Sequence, residues 1–193
     1  MNDLRIEKKF IFGKKKENDL ERLLIINGFT QLYQPRKINS IYLDTLNFDF
    51  AKDNINGVSK RKKIRFRWYD DDLTNIYLEE KNKQNFQVNK IVNKIFVHVS
   101  KKTIISDLKK YFHSPKNKFN SFNYKFILKI SYSRSYWISN NKKFRATIDH
   151  DIKINPINNL FFNLDMNETI LEFKFLQKYE TSFRDFTHKR NLQ

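Results

Sequence analysis

The run from Arg61 to Tyr69, Arg-Lys-Lys-Ile-Arg-Phe-Arg-Trp-Tyr, constrains the chain more than any other stretch. Read as a β-strand, it sends successive side chains to opposite faces. Arg61, Lys63, Arg65, Arg67 and Tyr69 then share one face, while Ile64, Phe66 and Trp68 share the other. Cations crowded on one face must lie in water or against a strong anion, because burying them unpaired costs too much. A solvated basic face meets that condition as well as an anion site does, so this strand alone leaves both open.

The same pattern recurs along the chain. Arg5 to Phe12 sets Arg5, Glu7 and Lys9 against Ile6, Phe10 and Phe12, and Ile38 to Thr45 sets Ser40, Tyr42 and Asp44 against Ile41 and Leu43. Asp70 to Asp72 reads as a hairpin loop, after which Tyr77, Glu79, Lys81 and Lys83 oppose Ile76 and Leu78. Lys90 and Lys94 follow in a less regular segment. Later strands run over Lys125 to Trp137, Phe144 to Ile152 and Thr169 to Phe175. They place Tyr132 with Arg134, then Arg145 with Thr147, Asp149 and Asp151, then Glu172 with Lys174, on polar faces. Helical periodicity marks Asn18 to Asn27 and Ser100 to Phe112, and Ser114 to Asn123 reads as a polar loop. The tail from Gln177 is polar with scattered aromatics and has no period that places it. No repeat or linker divides the chain, so residues 1–193 are expected to form a single domain.

Composition removes several function classes. The chain has no Cys, which excludes disulfides and thiolate metal sites, and its 3 Gly leave no Gly-rich phosphate loop. There is no apolar signal region and no run near the ~18 apolar residues of a membrane span, so a soluble, cytoplasmic protein is expected. The formal charge of +17 predicts attraction to polyanions. Lys, Asn, Ile and Phe are all abundant, as an AT-rich genome produces, so the placement of the charges weighs more than their sum. His98, His113, His150 and His188 lack metal-ligand spacing and are expected to be structural or exposed.

On the polar faces Arg5, Lys9, Arg61, Lys63, Arg65, Arg67, Lys81, Lys83, Arg134, Arg145 and Lys174 outnumber Glu7, Glu79, Asp149, Asp151 and Glu172. In an open sheet these charges would simply be solvated. In a closed antiparallel barrel with helices outside, an α+β arrangement, they would line a lumen. Such a lumen repels itself unless it holds a polyanion, and triphosphate or polyphosphate matches Arg forks and Lys ammonium groups. The interspersed carboxylates suit a hard divalent cation held by Glu172, with Glu7 or Glu79, against phosphate oxygens. Most aromatics fall on apolar faces and read as core. Tyr42, Tyr69 and Tyr132 are exceptions whose hydroxyls could donate to phosphate.

Taken in order, Arg5-x-Glu7-x-Lys9, Ile41 to Thr45, Arg61 to Tyr69, Leu78-Glu79-x-Lys81, Tyr132-x-Arg134, Arg145-x-Thr147-x-Asp149 and Leu171-Glu172-x-Lys174 form a series. This series resembles the VTC domain, the polyphosphate polymerase branch of the triphosphate tunnel metalloenzymes. Related tunnel enzymes of the CYTH type open with Glu-x-Glu-x-Lys; Arg5 stands in the first of those places here, which favours the VTC branch. The resemblance implies a tunnel barrel binding ATP and inorganic polyphosphate, with Mn²⁺ or Mg²⁺ as cofactor and ADP as product. It places phosphate contacts at Lys9, Arg65, Arg67, Lys81, Lys90 and Arg134 and the metal at Glu172, with Glu7 as a second candidate ligand. Tyr42, Lys63, Tyr69, Tyr132, Arg145 and Lys174 complete the expected substrate-binding set.

VTC domains usually end on a Ser-Lys-Tyr segment. The sequence stops at Gln193 without one, and His188-Lys189-Arg190 does not match it. A non-catalytic polyphosphate or nucleic-acid binding module, or a triphosphate hydrolase of the same fold, is the alternative, although no specific nucleic acid is expected. Nothing in the sequence specifies a membrane partner that would export a product.

Overall fold

The computed structural model describes residues 5–13, 16–85, 87–114, 123–158 and 162–190; the expected Pro115 loop lies mostly outside them. The strands are β1 (Arg5–Gly13), β2 (Phe29–Thr45), β3 (Lys60–Tyr69), β4 (Tyr77–Gln84), β5 (Gln87–Lys94), β6 (Tyr124–Ser139), β7 (Phe144–Pro156), β8 (Leu164–Asp165) and β9 (Glu168–Leu176). The helices are α1 (Glu17–Ile26), α2 (Asp49–Ile55), α3 (Ile104–Phe112) and α4 (Glu180–His188), with a 3₁₀ turn over Gln177–Tyr179. Strand pairing follows the order β1-β9-β7-β6-β2-β3-β4-β5, with β8 on β7. That path has two ends, β1 and β5, so strand pairing does not establish the closed barrel expected from the sequence. Among the described residues no helix is long and apolar enough to cross a membrane.

The chain clusters into two compact units. One comprises Met1–Lys37, Tyr132–Lys153 and Asp165–Gln193; the other comprises Ile38–Ser131 and Ile154–Leu164. In the second unit, β2 to β5 form an antiparallel sheet whose register sets Tyr42 opposite Arg65 and Arg65 opposite Glu79. The apolar face of β3 behaves as its alternation predicts. Ile64, Phe66 and Trp68 are buried with Ile41, Leu43 and Leu78 beneath Ile104, Leu108 and Phe112 of α3. Phe66 is the centre of this core, with ring centroids 6.0 Å from Phe112 and 5.8 Å from Phe126.

Asp44 shares the polar face of β2 in the alternation, yet it has a structural task. It is 5% exposed, and its carboxylate accepts from the backbone N–H groups of Thr45, Phe50 and Ala51 at 2.7, 2.9 and 3.0 Å. The last two donors are orphan N–H groups of α2, a helix none of whose side chains is fully buried. Asp44→Ala is therefore expected to destabilise the protein by about 2 kcal/mol, read as a shift in the denaturant midpoint.

In the first unit β9 lies between β1 and β7. Leu20 and Leu24 of α1 and Phe183 of α4 cover Phe144, Ala146, Ile148, Leu171, Phe173 and Phe175. The polar tail thus contributes a core helix: Phe183 stacks on Phe175 with centroids 4.3 Å apart, and Phe186 adds a ring against Phe173. Gly28 ends α1 at φ +73°, where any other residue would be strained and would press on Asn140.

Candidate functional site

The polar face of the second unit is organised around one carboxylate. Glu79 is 5% exposed. Arg65 donates to its Oε2 from Nε and Nη2, both at 2.7 Å, and Lys90 donates to its Oε1 at 2.8 Å. Arg67, 8% exposed, approaches the same carboxylate at 3.8 Å and donates to Ser40 Oγ at 3.3 Å. Arg65 also donates to the Tyr42 hydroxyl at 2.9 Å. Burial would raise the Glu79 carboxyl, but the Arg65 charge, the Lys90 hydrogen bond and Arg67 outweigh it and hold the group below the usual range. Burial likewise opposes ionisation of Tyr42, while Arg65, Arg67 and Lys63 pull its pKa down.

Next to this row, cations stand abreast. Lys63 lies opposite Lys81, and Lys81 opposite Lys90, across three adjacent strands. One row further out, Arg61 lies opposite Lys83. Like charges directly opposite one another destabilise a sheet. β5, read from the sequence as irregular, is in fact a regular strand, and that regularity completes the row.

The first unit holds a second cluster with a more even balance of charge. Arg134 grips Asp149 with two hydrogen bonds, Nε to Oδ1 at 2.5 Å and Nη2 to Oδ2 at 2.6 Å, and lies over the Tyr132 ring. The Asp149 carboxylate is met from the neighbouring strand: β6 lies beside β7, and its Arg134 reaches across. Asp151 pairs with His150, and Arg145 is exposed, in register with Lys174. Glu172 lies between two ammonium groups, Lys9 at 3.2 Å and Lys174 at 2.8 Å. Burial opposes its ionisation, but Lys174, Lys9 and Arg134 hold its pKa below the usual carboxylate range.

Lys174 Nζ also reaches Glu7 Oε1 at 3.4 Å. Two carboxylates therefore converge on one cation position, here held by an ammonium group. Among the described residues no group of three or more His, Cys, Asp or Glu side chains is arranged to hold a metal. A hard divalent ion of the Mg²⁺ type needs less than that, since one or two carboxylates suffice when phosphate and water supply the remaining oxygens. Glu7 and Glu172 fit that requirement. Glu79, the other carboxylate considered from sequence, is instead committed to Arg65 and Lys90.

Thr147 is in register with Glu172, and its Oγ1 is buried without a hydrogen-bond partner among the described residues. A buried hydroxyl in that state costs stability. Thr147→Val is expected to raise stability by about 1 kcal/mol, measured as a higher denaturant midpoint.

Tyr69 sits at the end of β3, half-buried, in register with Ile38. A recess of about 280 Å³ is lined by other residues, among them Glu17, Asp151, Asp165 and Glu168, whose charge is wrong for a polyanion. Ser40 and Thr147 have short, uncharged side chains, so only their neighbours in the sheet distinguish them.

In each unit the antiparallel sheet carries helices on its apolar face and Arg, Lys and Glu side chains on its polar face. Solved structures agree on the fold. A presumed adenylate cyclase from Bacillus halodurans superimposes with a TM-score of 0.62 at 15% identity, over 99% of this chain and 91% of its own. A presumed adenylyl cyclase from Hippeastrum, reported to have a dominant triphosphatase activity, gives 0.60 at 11% identity, over 97% and 88%. A presumed adenylate cyclase from Vibrio parahaemolyticus gives 0.55 at 12%, over 98% and 85%. No curated protein matches the chain in sequence. The family model of the VTC domain matches residues 5–193, and the chain belongs to that family.

Proposed function

We propose that the protein is a metal-dependent phosphotransferase that moves the γ-phosphate of ATP onto inorganic polyphosphate and releases ADP. The observation that carries this reading is the row Lys63, Lys81 and Lys90, flanked by Arg61 and Lys83 and backed by Arg65 and Arg67. A sheet tolerates cations abreast when an anion with many acceptors bridges them. Arg67 is 8% exposed, so a slim phosphate chain suits it better than a folded nucleic acid. The closed tunnel implied by the family resemblance belongs to this proposal. A crystal structure in which both ends of the strand path stay unbonded would refute that part.

In this reading the terminal phosphate oxygen of polyphosphate attacks the γ-phosphorus of ATP in line, and the bond to the ADP oxygen breaks. The attacking oxygen is already ionised, so no general base is required. Arg65, Arg67, Lys81 and Arg134 orient the phosphates and neutralise charge as it shifts, and Lys9, Lys63, Lys90, Arg145 and Lys174 extend the cationic surface. Glu79 and Asp149 hold Arg65 and Arg134 in place. Tyr42, Tyr69 and Tyr132 serve as hydroxyl donors or aromatic supports for the neighbouring cations. Mn²⁺ or Mg²⁺ held by Glu172 and Glu7 would supply further neutralisation of phosphate charge.

The test is incubation of purified protein with ATP and Mn²⁺, followed by a gel for polyphosphate and an assay for ADP. Polymer with stoichiometric ADP is the expected result. Inorganic phosphate without polymer would replace transfer by hydrolysis, the reaction reported for the Hippeastrum protein. Polyphosphate binding with no ADP released would reduce the protein to a binding module.

A further inference from the structure

We propose that Tyr33, Arg36 and Tyr136 form a seat for the base of a nucleoside triphosphate. The inference rests on the phosphate-binding reading above and adds to it what holds the other end of the substrate.

Along β6, Tyr132, Arg134 and Tyr136 alternate onto one face while Trp137 turns into the core. Arg134 is the phosphate-directed cation of this strand. Tyr136 stands one strand repeat beyond it, on the order of 7 Å away along the backbone. A ribose with its 5′-phosphate covers that kind of step.

Tyr136 is not a lone ring. Tyr33 of β2 meets it edge to face, with centroids 5.8 Å apart and planes at 78°. The guanidinium of Arg36 lies 5.6 Å from the Tyr33 ring and 5.9 Å from the Tyr136 ring. Phe29 on the same strand is 3% exposed, whereas Tyr33 is 52% exposed, so this ring is kept out of the core. The residues from 30 to 37 of β2 are exposed throughout. The cluster therefore sets an exposed aromatic ring beside a second ring and a guanidinium plane.

A flat heteroaromatic ring is the ligand that matches two rings and a guanidinium plane. Bases stack on Tyr rings and on Arg planes. Stacking is tolerant of base identity because every base has a π-face. The seat should thus favour nucleoside triphosphates over inorganic triphosphate while separating ATP from GTP only weakly. An ordinary cross-strand aromatic pair would stabilise the sheet without distinguishing these ligands.

The experiment compares ATP and inorganic tripolyphosphate by calorimetric titration of the full chain and two variants, Tyr136→Leu and Arg36→Gln. Tyr136→Leu keeps an apolar side chain but removes the ring, and Arg36→Gln changes an exposed position. Both variants are expected to bind ATP ~10-fold more weakly, the loss that follows from one stacking contact, with tripolyphosphate affinity unchanged. Retained tripolyphosphate binding also shows that a variant is folded. Parallel losses for both ligands, or no loss for either, would overturn the seat and leave the phosphate reading standing. A wild-type chain that binds neither ligand would overturn both.

Discussion

Glu172→Gln is expected to lower metal-dependent release of ADP from ATP on the order of 10²- to 10³-fold, the scale of losing one charge-stabilising group at a phosphoryl-transfer site. The substitution keeps the shape of the side chain and removes its charge. In the structure that charge neutralises Lys9 and Lys174 and, with Glu7, defines the position where two carboxylates share one cation. Two measurements separate loss of the cation from loss of the fold. Far-ultraviolet circular dichroism should be unchanged, and raising Mn²⁺ should recover part of the activity. A Glu172→Gln protein with wild-type turnover at every Mn²⁺ concentration would remove Glu172 from the site. If recovery is absent but Glu7→Gln behaves normally, Glu172 acts alone, and Glu7 only positions Lys174.

The sheet was legible in the sequence wherever one face of a strand is apolar. β3, β4 and β9 alternate with period two, and burial of Ile64, Phe66 and Trp68, of Leu78, and of Leu171 and Phe173 fixes which way the cations and Glu172 turn. β5 was not legible because all its residues are exposed and none marks a buried side. α2 was hidden for a related reason: none of its side chains is fully buried, only Phe50 packs on the core among its apolar residues, and the helix depends on the Asp44 carboxylate, a contact that no local pattern announces. α4 carries Phe183 and Phe186 in an otherwise polar segment, too few apolar positions to show a period. Partner choice was legible only in part. Arg65 opposite Glu79 follows from a short hairpin, whereas Arg134 with Asp149 requires knowing that β6 lies beside β7. Closure of the sheet has no signature in any single strand.

Glu79→Gln is the variant expected to damage stability most, by about 3–5 kcal/mol, because it removes one partner of a buried ion-pair group. Arg65, Lys90 and Arg67 converge on this carboxylate, and without it they confront one another beside Lys63 and Lys81. The sign of the pH dependence follows from the depressed Glu79 pKa. A carboxylate whose folded pKa lies below its unfolded value, about 4.3 for Glu, stabilises fully above that value. The contribution is lost as pH falls through the folded pKa. The stability gap between wild type and Glu79→Gln should therefore be constant near neutrality and shrink below pH ~4. Tripolyphosphate distinguishes the functional meaning of the cluster. An anion that binds the native state stabilises it by mass action, and the variant offers that anion a larger uncompensated charge. Thermal denaturation should show a larger rise in Tm with tripolyphosphate for Glu79→Gln than for wild type, and high salt should diminish both rises. If Glu79→Gln loses stability and tripolyphosphate restores none of it, the cations around Glu79 hold the sheet together but do not bind phosphate. In that case Lys63, Lys81 and Lys90 stand abreast for some other reason.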